Sequence, residues 1–252
     1  MAGWVDAHCH LHLSEESPAV LLDRAAAAGV GWLVNPGTDA ASSEEAFRLA
    51  EQFPGRVFPT AGLHPHDAAR WPDERGRIER LAAQAVAVGE CGLDFYRNLS
   101  APEVQIEAFR DQVRLAVDLG KPLVVHCRDA FSDMFDLIEG SGAGPGVVLH
   151  CWTGGPKWTR RFRDLGVTFS FAGPVTFETG DTVRRGAAQA QPDRVMVETD
   201  TPYLTPPPHR DAPNEPANVV RVGEALASVW GLLVDEVAAL TTATATRVFR
   251  GG

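Results

Sequence analysis

At 252 residues, 44% of them hydrophobic and 22% charged, the chain has the length and composition of one globular barrel or one large open sheet, which excludes disorder and fibrous repeats. A formal net charge of −10 excludes the broad basic field of a protein that holds nucleic acid over its whole surface, so any polyanion has to be met locally. No apolar run reaches membrane-spanning length and the amino terminus lacks a secretory layout, so a cytoplasmic protein with no membrane contact is expected.

Short apolar or β-branched runs alternate with longer helix-like segments along the whole chain. A strand over 4–8 leads to a helix over 18–28, 31–35 to 42–52, 57–62 to 75–84, and 86–90 to 102–119. Strands over 123–126, 147–150 and 168–171 lead to helices over 130–139, 156–165 and 182–189. The eighth strand, 195–198, precedes a stretch from Thr201 to Asn218 with six prolines, and two helices close the chain. Ser42-Ser43-Glu44-Glu45 offers a helix cap with acids in the first turn, and Gly29, Gly120 and Gly166 stand where helices should stop. Alternation of this kind implies a parallel sheet in an α/β fold. A doubly wound sheet shares the periodicity, but eight strand and helix pairs over 1–252 match a single-domain (β/α)8 TIM-type barrel, and the proline stretch then becomes a loop over its mouth.

Asp6-Ala7-His8-Cys9-His10 carries the first chemical signal, because alternate side chains of an extended segment share a face and two imidazoles can grip one cation. The same kind of residue recurs at strand ends: Glu90 on the fourth, His126 on the fifth, His150 on the sixth, and Asp200 just past the eighth. A parallel barrel gathers those carboxyl-terminal ends on one face, where barrel enzymes hold their chemistry. Four imidazoles and two carboxylates exceed the needs of one tetrahedral ion and suit two divalent ions with a bridging carboxylate. His8, His10 and Asp200 are assigned to one ion, His126 and His150 to the other, with Glu90 spanning both. Magnesium, manganese and zinc all suit such donors, as do cobalt and nickel. Asp200 is expected to act as general base on the attacking water. Cys9, Cys91, Cys127 and Cys151 each follow one of these residues, so strand alternation is expected to turn the thiols toward the helix layer as small apolar groups.

These stretches resemble the TatD family of metal-dependent hydrolases, often described as TatD deoxyribonucleases, over nearly the full chain. The blocks are Asp6 to Leu11, Gly62-Leu63-His64-Pro65-His66, Gly89 to Phe95, Pro122 to Ala130, His150-Cys151-Trp152-Thr153-Gly154 and Glu198 to Leu204. The resemblance implies an amidohydrolase-like barrel with metal positions on His8, His10, Glu90, His126, His150 and Asp200. It implies phosphodiester hydrolysis, in the form of a DNase working 3′ to 5′ on single-stranded ends. Related lactonases and amidases often bridge their metals with a modified lysine, where this chain offers Glu90. One departure from the family lies at Thr246-Arg247-Val248-Phe249, where an asparagine commonly precedes the arginine.

On the substrate side, His64 and Arg128 are placed to touch a scissile phosphate, with His64 either binding it or protonating the leaving oxygen. Asp94 is expected either to orient a ligand or to hold Arg128. Trp152 and Tyr203, with Phe95 and Tyr96, are candidates for stacking on bases, and the run Lys157 to Arg163 either grips a single strand or turns its charges to solvent. DNA or another phosphodiester is the expected partner; no obligatory protein partner is legible and a monomer is expected. Two other functions fit the same residues: a hydrolase of a lactone, amide or small phosphoester, and a non-catalytic metal-binding scaffold.

Overall fold

A computed structural model describes residues 3–251, so residues 1–2 and 252 of the expected domain lie outside the described residues. Eight parallel strands pair in sequence order: β1 (Trp4–Asp6), β2 (Val30–Asn35), β3 (Val57–Ala61), β4 (Ala87–Asp94), β5 (Leu123–Arg128), β6 (Val147–Leu149), β7 (Thr168–Phe171) and β8 (Val195–Val197). Helices α1 (Pro18–Ala27), α2 (Ala40–Gln52), α3 (Trp71–Ala82), α4 (Pro102–Leu119), α5 (Phe131–Ser141), α6 (Pro156–Asp164) and α7 (Asp181–Ala187) connect them, and α8 (Val219–Trp230) and α9 (Val234–Arg250) follow β8. Among the described residues no single helix is long and apolar enough to cross a membrane.

The seam between β8 and β1 is joined by backbone bonds beyond the strand ends. Ala7 N donates to Val197 O (3.0 Å), Asp200 N to His8 O (2.9 Å) and His10 N to Thr201 O (2.9 Å). Asp6 fastens the same seam from its side chain, accepting from Thr199 N at 2.9 Å and Thr199 Oγ1 at 2.6 Å. The barrel is therefore nearly closed, and the first and last strands are tied where their sequences turn polar.

Period-2 alternation sorts the core. Val124, Val148 and Met196 pack with Val5 and Val34 into an inner cluster to which Phe249 of α9 also belongs. Their neighbours Leu123, Val125, Val147, Leu149, Val195 and Val197 belong to the cluster shared with the surrounding helices. Continued two residues past the inner position, the same alternation points His126, His150 and Glu198 inward at the carboxyl-terminal end.

Local sequence explains most element limits. α4 opens on Pro102 and stops at Gly120, whose φ of 63° closes the helix, and Pro156 likewise opens α6. α2 begins before the expected Ser42: Asp39 is its cap, accepting from Ser42 N at 2.7 Å, while the Ser42 hydroxyl serves the Asp39 amide. α3 begins at Trp71, not 75, because Pro72 suits a first turn that also carries Asp73 and Glu74. β4 runs four residues beyond its expected end at Glu90. It can do so because Gly92, at φ 138° and paired with His126, passes where any Cβ would overlap the His126 carbonyl.

Candidate metal centre

The mouth of the barrel is a cavity of about 640 Å³ at the carboxyl-terminal strand ends. Glu90, 3% exposed, stands at its centre, and its two oxygens face different partners. Oε2 lies 3.3 Å from His8 Nε2 and 3.6 Å from His10 Nε2. Oε1 lies 2.9 Å from His150 Nε2, and 3.4 Å from both His126 Nδ1 and His64 Nε2. Asp200 closes the first group, with Oδ1 at 3.4 Å from His10 Nε2 and 3.8 Å from His8 Nε2. A left-handed φ of 59° at Asp200 turns its carboxylate into the mouth just after β8.

Burial pushes the Glu90 carboxyl up, yet the imidazoles of His150, His64 and His8 outweigh it and hold the group well below its usual range. Asp200 is lowered in the same way, burial being overcome by His10 first. Burial also lowers His150, but Glu90 and Glu198 prevail and raise it well above normal. His64 is dominated by burial and drops to about 4.

The donor set fits divalent cations on its geometry. His8 Nε2 and His10 Nε2 face each other at 3.2 Å, a pairing that needs a proton or a cation between two lone pairs. The candidate ligand atoms of His8, His10 and Asp200 all lie within 4.8 Å of one another, as do those of His64, Glu90 and His126. Imidazoles with carboxylates are the mixed donor set of zinc, manganese and related ions.

Supporting contacts fix the imidazoles. Asp94 Oδ2 sits 3.1 Å from His126 Nε2, leaving His126 Nδ1 toward Glu90, and 3.0 Å from His66 Nε2. Asp94 therefore orients histidines; Arg128 is held elsewhere, its guanidinium 4.0 Å over the Tyr96 ring. His64 Nδ1 accepts the His66 amide at 3.2 Å, so its proton resides on Nε2 and points into the mouth. His66 and the buried Glu198 are the site residues that sequence reasoning missed. Two signals were available: alternation from Met196 for Glu198, and the spacing of two from His64 for His66.

Arg128, Arg97, Leu13 and the half-exposed Tyr203 line the rim of the cavity. Trp152 does not reach it. The indole is 2% exposed, packs against Phe131, Phe162 and Phe169, and spends its N–H on Thr159 Oγ1 at 2.9 Å. Its expected role in substrate binding is corrected to core packing, because the left-handed turn at Cys151 (φ 44°) turns the chain at the end of β6. That turn also carries Cys151 to the mouth, against the cysteine expectation. Cys9 and Cys91 are buried in the helix-facing clusters and Cys127 packs against one of them at the edge of the mouth; all four thiols are free and burial pushes each of them up. Phe95 packs against the core, and Tyr96 is exposed beneath Arg128. None of Lys157 to Arg163 lines the mouth: Phe162 is buried, and Arg161 stacks on Phe135 and Trp158.

A nearly closed parallel barrel with imidazoles and carboxylates converging at its mouth defines a metal-dependent hydrolase of amidohydrolase-like architecture. The family model described as TatD related DNase matches residues 5–250. An uncharacterized metal-dependent hydrolase, TatD, of Mycobacterium tuberculosis is 38% identical over 257 residues, covering 97% of each chain. A 3′-5′ ssDNA/RNA exonuclease TatD of Cronobacter sakazakii is 39% identical over 238 residues, covering 91% of this chain and 90% of that one. The crystal structure of YjjV, a TatD homologue from Escherichia coli, superposes with a TM-score of 0.89 at 25% identity, over 99% of this chain and 98% of the other. The chain belongs to the TatD-related DNase family.

Proposed function

We propose that the chain is a two-metal phosphodiesterase, a single catalytic domain that removes nucleotides 3′ to 5′ from single-stranded DNA or RNA ends. The observation that carries this reading is the split of Glu90, one oxygen toward His8 and His10, the other toward His126 and His150. A carboxylate so divided suits a bridge between two cations. His8, His10 and Asp200 hold the first, His126 and His150 the second. Once bound, the pair supplies an acidified water and neutralises charge on the entering and leaving oxygens.

The chain's own groups do the rest. Asp200 would help to hold the first ion and is placed to take the proton of the attacking water. His64 is neutral at physiological pH and carries its proton on Nε2, which makes it a hydrogen-bond donor to a phosphate oxygen rather than a proton source for the leaving group. Arg128, braced on Tyr96, offers a guanidinium to the same phosphate. Tyr203 and Leu13 form an apolar lip on the His10 side, where the terminal base stacks. The exonuclease name of relatives such as that of Cronobacter sakazakii supports removal of nucleotides from an end.

The test is hydrolysis of end-labelled single-stranded DNA and RNA and of a chromogenic phosphodiester, with and without chelator. Chelator-sensitive cleavage of all three substrates, lost in Glu90→Ala and Asp200→Ala, is expected. Turnover confined to lactones or amides, or tight ion binding without turnover, refutes it.

A further inference from the structure

The carboxyl-terminal motif Thr246-Arg247-Val248-Phe249 takes no part in the reaction scheme, and it lies at the opposite end of the barrel from Glu90. Phe249 enters the inner cluster, while Arg247 and Val248 line a second cavity, of about 650 Å³, at the starts of β5, β6 and β7. Lys121, just after α4, and Arg194, just before β8, line it too. The chain has 33 acidic against 23 basic side chains, yet no acid lines this cavity. Each cation is held by a backbone carbonyl: Arg194 Nη1 donates to Gly166 O at 2.8 Å, Arg247 Nη2 to Asp193 O at 2.8 Å, and Lys121 Nζ to Ala85 O. A carbonyl fixes a cation in place but leaves its charge. Among the described residues none of the three forms an ion pair with a carboxylate, and burial lowers the Lys121 ammonium with no acid to offset it. Lys121 and Arg194 are half-buried, where a charge without a counter-charge is costly.

We propose that this cavity binds a phosphomonoester, its phosphate held by Lys121, Arg194 and Arg247 and its organic part lying on Ala143, Pro145 and Val248. The carbonyl contacts engage one nitrogen of each guanidinium, so Nε and Nη2 of Arg194 and Nε and Nη1 of Arg247 remain to meet phosphate oxygens. Thr168, buried at the start of β7, brings a hydroxyl to the same lining. Three cations match a doubly charged phosphate, whereas a single carboxylate would leave most of their charge unanswered. Because the backbone already fixes them, little side-chain ordering is left for binding to impose. A bare phosphate would fill only a corner of such a cavity, which has the size of a small-molecule site and an apolar wall for a sugar or a base. The site is separate from the mouth and does not rest on the two-ion reading.

The test is calorimetry on the full chain, made metal-free and dialysed clear of chelator, with adenosine 5′-monophosphate, inorganic phosphate and adenosine as probes. The monophosphate is expected to bind one to one, more tightly than either of the other two. Arg194→Gln and Lys121→Gln each remove one charge from the cavity and should weaken the monophosphate by about 10- to 100-fold. Arg128→Ala, at the mouth, should leave that affinity as it is. Absence of binding by the native chain, or binding that survives both charge-removing variants and falls in Arg128→Ala, overturns the proposal. Inorganic phosphate or adenosine binding as tightly as the monophosphate overturns it too, since one result leaves no role for the organic part and the other none for the cations. Should Arg194→Gln fail to fold, Lys121→Gln decides alone. Cleavage of phosphodiesters reports on the mouth and not on this cavity, so either reading can fail without the other.

Discussion

Replacing Asp6 tests how much the seam between first and last strands contributes to the stability of the barrel. The side chain is fully buried and accepts from Thr199 N, Thr199 Oγ1 and, at 3.3 Å, His8 N. Asp6→Ala strands two buried amides, and at about 1–3 kcal/mol for each unmatched group the loss is about 3 kcal/mol. For a chain of this size each kcal/mol lowers Tm by roughly 2–4 °C, so a fall of roughly 6–12 °C is expected. Asp6→Asn behaves differently. Burial pushes the Asp6 carboxyl well above its ordinary value, so a neutral amide of the same shape suits the site. Its oxygen serves the two amides and its NH2 donates to Thr199 Oγ1, which passes its own proton to Thr201 Oγ1 at 2.7 Å. The cost is then about 1 kcal/mol or less. Circular-dichroism melts of chelator-treated protein at neutral pH separate the two. Melting temperatures of Asp6→Ala and Asp6→Asn within about 2 °C of each other would refute the reasoning.

Arg128→Ala removes the proposed charge-assisted contact to phosphate, for which about 1.5–3 kcal/mol is expected, so kcat/KM on labelled single-stranded DNA should fall roughly 10- to 100-fold. Tyr96→Ala, which frees the guanidinium without deleting it, should cost only a few-fold; an unchanged rate in Arg128→Ala counts against the phosphate contact. Trp152→Ala opens a cavity among Phe131, Phe162 and Phe169 and should destabilise by about 3–5 kcal/mol, while the folded fraction keeps its activity in assays well below the melt. Asp39→Ala removes the α2 cap at about 1 kcal/mol. Partial burial pushes Asp39 up, but Ser42 and Arg70 together hold it below the usual carboxylate value, so its contribution is complete above the unfolded value and fades as pH falls through the lower, folded one. The difference between native and variant melts should be level from about pH 8 to 5 and narrow below about pH 4.

The barrel was legible because strand alternation and helix stops are local. Val124 and His126, Val148 and His150 each announce an inward face by spacing alone, and Gly120 ends α4 where expected. Asp39 was passed over because Ser42 looks like a cap until its hydroxyl is seen to point back at the Asp39 amide. Trp152 and the run Lys157 to Arg163 misled for a shared reason. Aromatic and basic residues near a strand end suit nucleotides in composition, yet which way they face depends on the turn at Cys151 and on the packing of Phe162 against Trp152. Glu198 was hidden by its more familiar neighbour Asp200, although both stand at even steps from Met196. The two-sided contact of Glu90 is tertiary, arising from imidazoles on three separate strand ends and the turn after β3, and no local spacing contains it.

Asp6 and Thr199, 193 residues apart in sequence, are direct hydrogen-bond partners. A chain emerging from synthesis has His8 and His10 long before Asp200. Until that distant contact forms, the cage lacks a wall, and an ion met early finds two loose imidazoles and nothing to hold it. Assembly of the complete donor set thus becomes a late event that reports ring closure, and a truncated or half-wound chain presents only part of it.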